Sequence, residues 1–273
     1  MFFVKPPAIF LAKPLDPLYN SPMKKTDLST RYNLIDVIRG VAVLNMVAYH
    51  LCYDIFEVFA VHVGWYLTTG AVIWERFICC TFILVSGISM NFSKHPYKRG
   101  IIVNLCGFAI TVITVLAMPS QAIWFGILNL IGCSMLITAA LKPLFEKIPP
   151  IGGAVGSLVL FSFFYGLPKR FLGLFGLRLF ALPDALYRFK YLSFLGLKSA
   201  DFHSSDYFPL LPWIFLFFAG FFLWKMIERC RKTEFFRPNI PVFSFVGRHS
   251  LLIYLLHQPI LYGICYVIFL FIV

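Results

Sequence analysis

Seven stretches of this chain are long and apolar enough to cross a bilayer, and no other feature constrains its fold as strongly. A spanning helix needs about twenty mostly apolar residues. Such runs fall at 34–56, 71–92, 101–118, 123–141, 151–167, 208–226 and 250–273. They are continuous rather than alternating, which argues for helices over membrane strands. The third, fourth and fifth are close to the lower length limit. The sequence therefore predicts an all-α fold, a polytopic transmembrane helical bundle of about seven spans. Composition agrees. With 60% hydrophobic and 13% charged residues, the chain has too few charges to cover a water-facing surface.

The formal net charge of +12 raises nucleic acid as a partner, so the placement of the cations decides. They cluster at the ends of apolar runs, and no stretch interleaves them with stacking aromatics as a nucleic-acid groove would. The expected partner is the lipid bilayer, with no nucleic acid. Lys5, Lys13, Lys24, Lys25 and Arg31 precede the first span. Lys94, Lys98 and Arg99 follow the second, Lys142 and Lys147 the fourth, and Arg229, Arg231, Lys232 and Arg237 the sixth. The alternate short loops, 57–70 and 119–122, carry no lysine or arginine. By the positive-inside rule the N-terminus is cytosolic and the C-terminus outside, in a multi-pass protein of the cytoplasmic (inner) membrane. Residues 168–207 fall outside on this reading, yet contain Lys169, Arg170, Arg178, Arg188, Lys190 and Lys198. Their alternation of apolar and basic residues predicts an interfacial helix, with a short or re-entrant span as the alternative.

Six of the seven cysteines lie in apolar runs, with no CxxC and no zinc spacing, so neither a disulfide nor a metal site is expected. Residues 1–30 are rich in proline and lysine and lack the pattern of a cleaved signal. They read as a cytosolic tail ahead of a membrane domain covering 31–273.

Ionisable residues within spans are expensive and mark function by default. The first span has four: Asp36, Arg39, His50 and Asp54. Arg39 and His50 are eleven positions apart, close to three turns, so both lie on nearly one face about 16 Å apart along the axis. Asp54 follows His50 by one turn and is expected to hydrogen-bond to its ring. Glu75 and Arg76 open the second span and could pair together or face His50 and Asp54. His62 lies in the outside loop, free to meet an external substrate. The last span carries His257, Gln258 and Pro259, and the proline frees a backbone carbonyl. No phosphate-binding glycine loop, Ser-His-Asp signature or HExxH is present.

The run Asp36-Val37-Ile38-Arg39-Gly40, then Met46-Val47-Ala48-Tyr49-His50 and Tyr53-Asp54, resembles the opening of the heparan-alpha-glucosaminide N-acetyltransferase catalytic-domain family, most closely its small bacterial members. Integral-membrane polysaccharide O-acetylases share the Arg-Gly followed by histidine. Further segments follow in the family's order: Phe82 to Gly87, Phe125 to Gly132, Tyr207 to Trp213, and Gly247 to Tyr254 with His257-Gln258-Pro259. The likeness covers about residues 31–265.

The resemblance implies a membrane acyltransferase that moves an acetyl group from cytosolic acetyl-CoA to a glycan or aminosugar, at an amine or hydroxyl beyond the membrane. Acetyl-CoA enters as donor substrate. Asp36, Arg39, Asn129 and His257 are the expected acyl-CoA-binding residues, and His50, Asp54 and His62 the expected catalytic ones. In the lysosomal enzyme the catalytic histidine lies in the outside loop, where His62 and Trp65 resemble its surroundings. That enzyme has asparagine at the position of His50, whereas the O-acetylases have histidine. Both histidines are present here, so the choice between them stays open. A homodimer is compatible with the sequence. The rival readings are a transporter or channel for a small anion or lipid, and a non-catalytic subunit of an envelope-assembly complex. No internal repeat between halves supports transport.

Overall fold

A computed structural model describes residues 31–61, 64, 66 and 68–272. Its helices are α1 (Asn33–Tyr53), α2 (Thr69–Ser89), α3 (Pro96–Ala117), α4 (Ile127–Phe145), α5 (Pro150–Phe164), α6 (Leu210–Arg229), α7 (Pro241–Arg248) and α8 (Ser250–Ile272). All but the eight-residue α7 belong to segments long and apolar enough to cross a membrane, seven among the described residues. Each matches an apolar run in the sequence. Proline stands at the start of α3, α5 and α7, where its missing N–H has no helical partner to lose.

In lipid there is little hydrophobic drive between helices, so close packing through small residues must hold them together. Two crossings show this. A Cβ on Gly87 of α2 would strike the Phe217 carbonyl of α6, and one on Gly220 of α6 would strike the Leu84 carbonyl of α2. Gly40 of α1 and Gly247 of α7 interlock in the same reciprocal way, against Phe243 and Asp36. α6 is central, with Phe217, Phe221 and Trp224 essentially inaccessible, and its core continues into Leu130 and Ile131 of α4 and Ile83 of α2. α3 and α8 lie at the periphery, exposing Leu105, Ile113, Leu116, Ile260 and Leu270. In water such a surface would be a liability, and in acyl chains it is a match.

Residues 168–207 correct the sequence reading. They form neither an interfacial helix nor a further helical span. Strands β1 (Phe171–Leu174) and β2 (Leu177–Ala181) pair antiparallel as a hairpin, followed by single-turn helices at Asp184–Tyr187 and Lys190–Leu195. Positive φ at Phe175 and Gly176 closes the two-residue turn, a geometry that a helix cannot continue through. α7 was likewise not foreseen, because eight residues are too few to register as a span.

Candidate active site

α1 carries two polar clusters, one at each end. At the end where the chain enters, Asp36 is 7% exposed and receives three arginines. Arg31 Nη2 is 2.8 Å from Oδ2 and Arg39 Nη1 3.1 Å from Oδ1. Arg248, from the end of α7, brings Nε to 3.6 Å. Arg39 also donates Nη2 to the Ser89 hydroxyl at the end of α2. Three guanidinium groups thus share one carboxylate, leaving a surplus of positive charge beside the interlocked Gly40 and Gly247. The sequence reading found Asp36 and Arg39 but not Arg248 as a partner, although Arg248 lies in the Gly247-Arg248-His249-Ser250 run.

About three turns along α1 lies the second cluster. The His50 ring packs edge-on against His257 of α8, with centroids 4.8 Å apart, and between Tyr49 and Tyr53. His257 Nδ1 is 2.7 Å from the Tyr254 carbonyl oxygen. A carbonyl only accepts, so Nδ1 carries the proton and Nε2 is left with its lone pair. That Nε2 is buried and has no hydrogen-bond partner among the described residues.

Asp54 departs from expectation. It is fully buried, but no hydrogen bond joins it to His50 among the described residues. Its Oδ1 accepts from Gln258 Nε2 at 2.6 Å. The α-helix gives way to a π-turn only from here on, Asp54–Val58, and the Asp54 backbone N–H still bonds to the His50 carbonyl, so the one-turn spacing holds and it is Gln258, from α8, that takes the carboxylate. Asp54 Oδ2 and Gln258 Oε1 join His257 Nε2 as buried acceptors without a donor. Neighbouring residues on two helices therefore hold several lone pairs that a ligand N–H or O–H would satisfy.

A carboxylate that the sequence reading missed lies beyond this cluster. Asp206 Oδ2 accepts the Ile127 backbone N–H at 3.2 Å and the Tyr254 hydroxyl at 3.4 Å. It so ties the first turn of α4 to the helix that carries His257, with its charge at a helix N-terminus. Enclosure away from water raises its carboxyl to about 6. Glu75 and Arg76 pair with each other, at 3.7 Å, within electrostatic reach of Asp206. The sequence signal was its place in Asp206-Tyr207-Phe208-Pro209, just before a span.

The remaining candidates scatter. His257 belongs with His50 rather than with Arg39. Asn129 is buried against Gly107 of α3, with Nδ2 unpartnered among the described residues. It lines a groove of ≈ 460 Å³ between α3 and α4, with Asn104, Leu105 and Phe125. No described contact connects it to either cluster on α1. His62 lies outside the described residues. Among the described residues no group of three His, Cys, Asp or Glu side chains is placed to hold a metal ion.

A family model described as heparan-alpha-glucosaminide N-acetyltransferase, catalytic, matches residues 31–259. No curated protein and no solved structure matches the chain.

Proposed function

The chain belongs to the heparan-alpha-glucosaminide N-acetyltransferase catalytic-domain family, and from that premise we propose that it moves an acetyl group from cytosolic acetyl-CoA to a sugar amine or hydroxyl on the far side of the membrane. The observation that carries this reading is the pairing of His50 with His257, beside buried acceptors and on the same helix as the arginine cluster. A phosphate-bearing donor fits that cluster. Arg31, Arg39 and Arg248 hold more positive charge than Asp36 can neutralise, and guanidinium groups bind phosphate through paired charge-assisted hydrogen bonds.

At the histidines, the acceptor N–H or O–H would be oriented by the unpaired lone pairs of Asp54, Gln258 and His257. His50 takes the acceptor's proton as its nitrogen or oxygen attacks the thioester carbonyl. The new C–N or C–O bond forms, the C–S bond breaks, and the CoA thiolate leaves and recovers a proton. His257 fixes the His50 ring from α8, and its own tautomer is fixed by the Tyr254 carbonyl. The roughly 16 Å between Arg39 and His50 is the depth of membrane that the donor's flexible arm would bridge.

The test uses the purified chain in nanodiscs with radiolabelled acetyl-CoA and aminosugar or glycan acceptors. We expect His50→Ala to lower turnover about 10²–10⁴-fold, the usual worth of a general base, with donor binding retained. Arg39→Ala should weaken donor binding with the histidine pair intact. A folded wild-type protein that neither binds nor turns over acyl-CoA would redirect attention to transport.

A further inference from the structure

The hairpin β1–β2 carries an apolar surface that none of the described residues covers. Phe175 is 83% exposed, Leu177 69% and Phe180 60%, and every residue of β2 is exposed. β1 is partly buried, packed at the end of α5, where Phe171 rests against Gly166. Phe175 occupies a left-handed turn position at φ 50°. Asparagine or glycine is the usual residue in such a turn, and a bulky side chain there is strained. A phenylalanine held in that strained position at the tip of the hairpin, with most of its side chain outward, is placed to touch something apolar.

The depth of the tip says what that is. The Phe175 backbone N–H donates to Ser162 Oγ at 2.7 Å, and Ser162 lies within the fifth spanning segment, Pro150–Lys169. α5 itself has 15 residues, about 22 Å of helix against a hydrocarbon core of about 30 Å. The hairpin tip folds back to the level of the last turn of α5, alongside a helix that is itself shorter than the hydrocarbon core. A backbone donor at that level needs an internal partner, and Ser162 supplies it. Cations flank the hairpin: Arg178 of β2 lies over the Phe171 ring at 4.9 Å, while Arg170, at the open end of the hairpin, pairs with Asp184. Residues 168–207 contain six lysines and arginines against the three acids Asp184, Asp201 and Asp206.

We propose that the hairpin is a membrane anchor, with Phe175, Leu177, Leu179 and Phe180 immersed among the acyl chains of the adjacent leaflet and the surrounding cations, Arg178 foremost, at anionic lipid phosphates. This accounts for basic residues on a side of the membrane that the positive-inside rule leaves poor in them, because here they bind headgroups rather than set topology. The anchor stands whether or not the chain is an acyltransferase.

The experiment places the photo-crosslinking residue p-benzoylphenylalanine at Phe175 or, in a second variant, at Leu179, in the full chain in nanodiscs of mixed phosphatidylcholine and phosphatidylglycerol. Both variants are first checked for wild-type melting, and adducts are identified by mass spectrometry after irradiation. Lipid adducts at both positions are expected, enriched about threefold or more in phosphatidylglycerol over its share of the disc. Arg178→Gln with Lys190→Gln should remove the enrichment and leave the adducts, since cations near an anionic surface are what attract such lipids. Adducts to a second copy of the chain would overturn the proposal in favour of a protein-covered face. Absence of adducts, with ready labelling of a Leu179→Cys variant by a membrane-impermeant maleimide, would overturn it in favour of a water-exposed loop.

Discussion

His257 donates its Nδ1 proton to the Tyr254 carbonyl, and Asp54 accepts from Gln258, so α8 organises the polar centre that α1 supplies. The second bond gives a direct test. In Gln258→Leu, the fully buried Asp54 would lose its donor, at about 2 kcal/mol for a hydrogen bond to a charged group. That loss should appear as a lower melting temperature in detergent, whereas Gln258→Glu with Asp54→Asn, which reverses donor and acceptor, should recover much of it. Asp206 offers a pH test. Its carboxyl is raised from 3.8 to about 6 by enclosure away from water, so the folded protein holds that proton more tightly than the unfolded chain. Its contribution to stability is full below about pH 4 and is lost as pH rises through 6. Asp206→Asn keeps an acceptor for the Ile127 N–H without the charge, so its melting temperature should gain on wild type between pH 4 and 7. A constant difference across that range would remove the assignment. Among the residues, Arg39 and His50 were legible because an ionisable side chain within an apolar run is conspicuous in sequence. Asp206 was not, because an acid in a loop looks solvated until the fold brings α4 and α8 to it.

At the scale of elements, glycine positions decide how closely helices approach. Gly40 and Gly247 allow α7 to lie on α1, and this is what delivers Arg248 to Asp36. Gly247→Ala should therefore do two things together: cost about 1–3 kcal/mol of stability through overpacking, read as a lower melting temperature, and weaken acetyl-CoA binding. Gly87→Ala, at the crossing of α2 and α6, should cost similar stability, and its effect on donor binding should be smaller than that of Gly247→Ala. Thermal melts and equilibrium binding on the same preparations separate the two. The apolar runs announced seven helices to within a few residues, since hydropathy over about twenty positions is a strong local signal. Neither α7 nor the β1–β2 hairpin gives such a signal, because each is short and takes its structure from what it packs against, α1 in one case and the end of α5 in the other.

For the whole molecule, the orientation proposed from the distribution of lysine and arginine can be tested with one native thiol. Cys230 is exposed in the loop after α6, while the other six cysteines lie within spans. With the N-terminus cytosolic, a membrane-impermeant maleimide should label Cys230 only after cells are opened, and should label a Ser205→Cys variant in intact cells. The reverse pattern would invert the proposed topology and move the arginine cluster away from the proposed cytosolic donor.

The sequence by itself determined that this chain is a bundle of spanning helices, which residues in them are charged, and that its order of motifs is that of an acyltransferase family. Those properties are local, set by the cost of placing polar groups in hydrocarbon and by helical periodicity. Tertiary structure alone decided the partners: His257 beside His50, Gln258 rather than His50 on Asp54, Arg248 on Asp36, and Asn129 turned toward α3. These pairs join residues up to 212 positions apart (Asp36 to Arg248). Which faces meet is set by the packing of whole helices against one another, and no single helix's sequence contains that information.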